Sequence, residues 1–175
     1  MTVRIDKFDA LGNDFLVLDT AQAGSQSTGV SGGTDSAAAG ASSGAGAPQT
    51  PDWPTIARAW CSRTTGAGAD GLLLLTRNDD VEARMQLFNS DGSHAEMSGN
   101  GARCFAHALY RADAARGERS YRLHTDAGLR QVTVAAQANP QLLDGGASAE
   151  IFNTALASVD MGEVQPLDPP AGWSA

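Results

Sequence analysis

Apolar and polar positions along this chain fall into stretches of two kinds, alternating and helically spaced, and these predict its elements. Val3, Ile5 and Lys7-Phe8 suggest a first strand and Phe15 to Asp19 a second, with the short corner Leu11-Gly12-Asn13-Asp14 making them a hairpin. Thr50-Pro51-Asp52 has the form of a helix start, with Thr50 as cap and Pro51 at the first helical position. Trp53, Ile56, Ala57 and Trp60 follow at helical spacing, so a helix is predicted from Pro51 to about Ser62. The unbroken run Leu72 to Leu75 predicts a buried strand ending at Thr76, and Ala83, Met85 and Leu87 alternate as in a half-buried one. Ser90-Asp91-Gly92 turns the chain toward a second helix, Gly99 to Arg111, capped by Ser98. Beyond it Tyr121 and Leu123 alternate, Asp126-Ala127-Gly128 reverses the chain, and Val132 and Val134 form the returning strand. Asn139 to Gly146 reads as a loop, and Ile151 to Met161 should contain one more strand. This is the grammar of hairpins. It predicts an α+β domain with a mostly antiparallel sheet curled around the apolar helix Gly99 to Arg111.

Between the second strand and the first helix, 24 of the 30 residues from Ala21 to Thr50 are Ala, Gly, Ser or Thr. Such a segment cannot bury enough surface to offset its ordering entropy, so it is expected to be a disordered insertion that supplies no site residue. Loop-closure entropy grows only logarithmically, and the insertion costs the fold only about 2 kcal/mol. The tail from Gln165 to Ala175 has three prolines and no periodicity, and is expected to be poorly ordered.

Composition narrows the function. With 12 basic against 20 acidic residues the net charge is −8, and no Lys/Arg cluster offers a face for nucleic acid. No apolar run approaches the roughly 20 residues of a membrane span, and Met1 to Lys7 lacks the apolar core of a signal peptide, so a cytoplasmic protein is expected. Cys61 and Cys104 are too few for a disulfide framework, and His94, His107 and His124 lack metal-ligand spacing; no metal is expected.

The chemistry concentrates in Phe88 to Cys104. Ser98 followed by Gly99, Asn100 and Gly101 opens the second helix with small residues that leave its first N–H groups uncovered. A helix N-terminus of this kind can hold a carboxylate. Taken alone, such a run more often only caps a helix and turns the chain. Two further blocks bear on the choice: Lys7 to Asp19, with its glycine corner, and Gly66-Ala67-Gly68-Ala69-Asp70-Gly71 leading into Leu72 to Leu75.

These three collinear blocks resemble the N-terminal half of the diaminopimelate epimerases, and Thr125 to Gly128 and Val159 to Gly162 continue the resemblance more faintly. The resemblance implies one lobe, residues 1–162, of a pseudo-symmetric two-lobe fold with the substrate in the cleft between lobes. It implies a cofactor-independent enzyme that interconverts LL- and meso-diaminopimelate by two-base proton transfer at the α-carbon, in lysine and cell-wall biosynthesis. Carried over by motif, Asn13 and Asn89 would bond substrate polar groups, the Gly99 and Asn100 amides would hold its carboxylate, and Ser98 would stand at the base position. Read from the residues alone, Asn13 could equally stabilise a left-handed turn and Asn89 an Asx turn. A C-terminal lobe with the second base has no counterpart in the sequence, and the family implies a possible homodimer.

Ser98 departs from the family, where a cysteine holds this position. A thiol ionises near ~8.5 and an alcohol nearer the ~15.7 of water, a gap of about 10 kcal/mol. A helix N-terminus returns only about 0.3 to 2 kcal/mol of it. Cys104 is no substitute, because six residues along a helix turn it about 240° away and ~9 Å along the axis. The chain alone is therefore expected to be inactive or incomplete. The alternatives are a related racemase, isomerase or dehydratase of the same fold, and a ligand-binding lobe without turnover.

Overall fold

The computed structural model describes residues 4–21, 51–77, 82–136 and 155–163. In chain order the elements are β1 (Asp6–Ala10), β2 (Asn13–Asp19), α1 (Trp53–Cys61), β3 (Gly71–Thr76), β4 (Ala83–Asn89), β5 (His94–Ala95), α2 (Gly99–Ala112), β6 (Glu118–Thr125), β7 (Gly128–Ala136) and β8 (Ala155–Val159). One sheet runs in the order β1-β2-β3-β4-β6-β7-β8, with the short β5 paired to β4. It is mostly antiparallel, as predicted, and curls around α2, which touches strands from β1 to β8.

Two pairings depart from hairpin grammar. β2 lies parallel to β3, with Phe15 opposite Gly71 and Leu18 opposite Leu74, and β4 lies parallel to β6 through Ala83–Leu123 and Arg84–His124. In each case a helix intervenes in sequence, α1 in the first and α2 in the second, as a parallel connection requires. Local alternation cannot reveal such a pairing, because it records burial and not direction.

The helices lie on opposite faces. α2 sets Phe105, Leu109 and Tyr110 against Phe8, Val17, Leu73, Met85, Tyr121 and Val132. α1 sets Ala57 and Cys61, flanked by Trp53, Ile56 and Trp60, against Leu16, Leu18, Leu72, Leu74 and Phe88. Strands β2 and β3 are thus covered on both sides, and this is why Phe15 to Leu18 and Leu72 to Leu75 are unbroken apolar runs. Phe105 is fully enclosed, and truncating it to alanine would cost about 3–5 kcal/mol.

The cap of α1 is Asp52 and not the predicted Thr50: its carboxylate accepts from the Thr55 amide, and Pro54 takes the second helical position. An aspartate accepts at a cap as well as a threonine does, so the proline-rich entry allows either register. The low-complexity run 22–50, the loop 139–146 and the tail 165–175 lie outside the described residues, as does the first part of the predicted last strand. No helix among the described residues is long and apolar enough to cross a membrane.

Candidate active site

Leu11 and Gly12, both at positive φ, form a two-residue turn that closes β1 on β2 and pairs Ala10 with Asn13. Asn13 is therefore extended backbone at the first position of β2, and its reading as a left-handed turn residue is overturned: Leu11 and Gly12 take that conformation. The neighbouring Asp14 lies beside Asp70, the last residue of the glycine loop before β3. The Asp70 amide donates to the Asp14 carbonyl at 2.8 Å, and the Asp14 amide donates to the Asp70 carboxylate at 3.2 Å.

Two carboxylates this close need cations. Arg63 donates to Asp14 at 2.7 Å and to Asp70 at 2.8 Å, and Lys7 reaches Asp14 at 2.9 Å. The Arg63 guanidinium, reinforced by Lys7, holds the Asp14 carboxyl well below the usual carboxylate range against the opposing effect of burial. Asp70 is lowered chiefly by the hydrogen bond from Asn13. Both stay ionised, and the Asn13 amide nitrogen donates to Asp70 at 3.0 Å.

At the start of α2, Ser98 is extended (φ −139, ψ 127) and its Oγ accepts from the Gly101 amide at 3.0 Å, while its carbonyl accepts from Ala102. Ser98 thus caps the helix. The Gly99 and Asn100 amides precede the helical ladder and have no acceptor among the described residues. Gly101 is buried, and a Cβ there would press on the Ser98 Cβ at 3.1 Å and touch Leu73 at 3.5 Å, so a larger side chain would have to displace the capping serine. The Met161 sulfur lies 3.6 Å from where a Gly99 Cβ would be, bringing the segment after β8 against the same turn.

Helix start and hairpin meet through side chains. Asn100 donates to the Asn13 carbonyl oxygen at 2.8 Å, and Arg103 donates to the Asn100 oxygen at 2.6 Å and to the Ala157 carbonyl of β8 at 3.2 Å. Asn13, Gly99 and Asn100 are therefore brought together, with Ser98 beside them. Asn89 stands at the end of β4, where its side chain donates to the Ser93 hydroxyl at 2.9 Å and its amide to the Ser93 carbonyl, and the next residue, Ser90, donates to the Asp70 carbonyl at 2.9 Å. The Asx turn expected of Asn89 belongs instead to Asp91, whose carboxylate accepts from the Ser93 amide at 2.8 Å.

Neither cysteine can act at this site. Burial pushes the Cys104 thiol up to about 12 and the Cys61 thiol up to about 11, and both side chains are enclosed in the core. Among the described residues no three His, Cys, Asp or Glu side chains gather as a metal would require. Sequence reasoning missed Arg63, Asp70 and Arg103. Asp70 belongs to the glycine block Gly66 to Gly71, and Arg103 follows Asn100 at the i, i+3 spacing that joins side chains on a helix.

The family model for diaminopimelate epimerase matches residues 46–165. A diaminopimelate epimerase from Desulfitobacterium hafniense is 39% identical over 109 residues, 62% of this chain and 30% of that protein. Another, from Synechocystis, is 33% identical over 168 residues, 95% of this chain and 45% of that protein. The chain thus spans less than half the length of these curated relatives. Its fold is similar to that of a "predicted epimerase" from Pseudomonas aeruginosa, with a TM-score of 0.51 at 15% identity, covering 78% of this chain and 39% of that one.

Proposed function

We propose that this chain, which belongs to the diaminopimelate epimerase family, forms one wall of an amino-acid epimerase site that interconverts LL- and meso-diaminopimelate without a cofactor. The reaction would serve lysine and cell-wall biosynthesis in the cytoplasm. One observation carries the reading: the Gly99 and Asn100 amides, without an acceptor among the described residues, stand beside the Asn13–Asn100 amide pair and the Ser98 hydroxyl.

Removing an α-proton sends negative charge into the adjacent carboxylate. Donors already aimed at that carboxylate hold the charge without reorganising, which is how a site lowers the barrier with no imine cofactor. In this reading the Gly99 and Asn100 amides and the free N–H of Asn13 hold the carboxylate, Asn89 meets a second polar group, and Ser98 faces the α-carbon. The Ser98 oxygen already accepts from Gly101, so its hydroxyl is suited to donate a hydrogen bond or a proton and poorly suited to remove one. A base on the opposite face would come from a complementary lobe, and a homodimer is compatible with that arrangement.

Exchange of the diaminopimelate α-hydrogen in deuterated water, followed by proton NMR, tests the reading. The 175-residue chain should bind diaminopimelate saturably and exchange it slowly, and Ser98→Cys should raise exchange by about 10²–10⁴-fold, the range of a competent acid–base group. Fast exchange by the unaltered chain would overturn the half-site reading, and absence of binding would overturn the ligand. The capping bond of Ser98 favours one second reading, a ligand-binding lobe without turnover, which predicts binding with no exchange even for Ser98→Cys.

A further inference from the structure

The two amides at this site stand between anchors of opposite kind. The two ends of an asparagine amide have nearly the same shape, so only its hydrogen-bond partners decide which way it faces. At one end of the chain of bonds is Arg103, whose guanidinium can only donate; at the other is Asp70, whose carboxylate can only accept. Asn100 must therefore turn its oxygen to Arg103 and its nitrogen to Asn13. Asn13 must turn its oxygen to Asn100 and its nitrogen to Asp70. Flipping either amide would set donor against donor or acceptor against acceptor at two contacts. The anchors are themselves held, Arg103 by the Ala157 carbonyl and Asp70 by Arg63 and the Asp14 amide. Each amide nitrogen has a second N–H that these bonds leave unused.

We propose that Asp70 and Arg103 are positioning residues that fix the direction of both amides, so that each meets a ligand with its second N–H while its oxygen is turned to the neighbouring donor. A carboxylate edge, which only accepts, is then selected over a carboxamide of the same shape, which must place its own N–H groups somewhere. The choice of ligand rests on the function proposed above; the fixed direction of the amides does not.

The test uses the full chain labelled with nitrogen-15. Asp70 does not bond Asn100, and Arg103 does not bond Asn13. Asp70→Asn should nevertheless shift the Asn100 side-chain amide resonance, and Arg103→Gln should shift that of Asn13, while backbone resonances of β6 stay in place. Distal amides unmoved in both variants would overturn the proposal; either variant suffices if the other fails to fold. Affinities for diaminopimelate and its bis-amide supply the second readout. The preference for the acid should fall about tenfold in Asp70→Asn, the value of one charge-assisted bond, and an unchanged preference would overturn the selectivity. Should the unaltered chain bind neither compound, the ligand assignment fails while the amide resonances still decide the relay.

Discussion

Both helices begin on a capped first turn: the Asp52 carboxylate accepts from the Thr55 amide at 3.3 Å in α1, and the Ser98 hydroxyl accepts from the Gly101 amide at 3.0 Å in α2. In α1 the remaining donors are also taken. The Trp53 amide donates to the Pro51 carbonyl, Pro54 has no N–H, and the cap carries a negative charge where the helix dipole is positive. In α2 the cap is neutral and the Gly99 and Asn100 amides are unpartnered among the described residues. The third helical residue differs as well, being the exposed Thr55 in one and the buried Gly101 in the other. One helix start is complete in itself; the other leaves two N–H groups without a protein acceptor among the described residues.

The sharpest way to exploit that difference is a thiol at the open end. Ser98→Cys places a sulfur where the dipole favours its anion, below the ordinary value of about 8.5, whereas Cys104 is held up at about 12. Alkylation by iodoacetamide at neutral pH should then modify the new cysteine more than about a thousandfold faster than Cys104, as read by mass spectrometry. Equal rates would show that the α2 start carries no such field.

A packing change comes next. Gly101→Val forces a side chain against Ser98 and Leu73 and should cost about 1–3 kcal/mol in chemical denaturation. Thr55→Val, at the equivalent place in α1, meets no such wall and should cost less, about 0.5 kcal/mol, through the lost hydroxyl bonds of an exposed residue. Smaller again is Ser98→Asp, which supplies α2 with the charged cap that α1 already has. Stability should rise by about 0.3–1 kcal/mol while diaminopimelate binding is lost, because the new charge on the Gly101 amide repels a carboxylate approaching the Gly99 and Asn100 amides beside it. Retained binding would remove the anion from the account.

The smallest effect is one of pH. Asp52 is lowered by its bonds with Thr55, so its contribution is fully present above the unfolded value of about 3.9 and is lost as pH falls through the lower folded value. Ser98 has no such titration. Corrected for intrinsic exchange, hydrogen-exchange protection of the Thr55 amide should fall in that window below pH 4 while that of Gly101 holds.

Sequence and structure agree where one residue's burial settles the matter. The runs Phe15 to Leu18 and Leu72 to Leu75, the alternation of Ala83, Met85 and Leu87, and the helix opening at Gly99 all stand where periodicity put them. They disagree where an element's partner matters. The parallel contact of β2 with β3 joins positions 56 residues apart, the Asn13–Asp70 bond 57, and Asn100 meets Asn13 across 87. Polar residues at such distances have no period to betray them. Ser98, Gly99, Asn100 and Asn13 are therefore legible as motifs, whereas Asp70 and Arg103, which bond the Asn13 and Asn100 amides, become visible only once the chain is closed.

That closure also sets an order in time. The β6–β7 hairpin turns within a few residues, at Asp126-Ala127-Gly128, so its ends meet early at little entropic cost. Pairing Phe15 with Gly71 must first close a loop of about fifty residues, an intrinsically slow step. The Asn13–Asp70 bond sits at the mouth of that late pairing, so ligand affinity should appear only in the last phase of refolding. A stopped-flow experiment that mixes refolding chain with diaminopimelate would then report the native state alone, and binding in an earlier phase would refute this order.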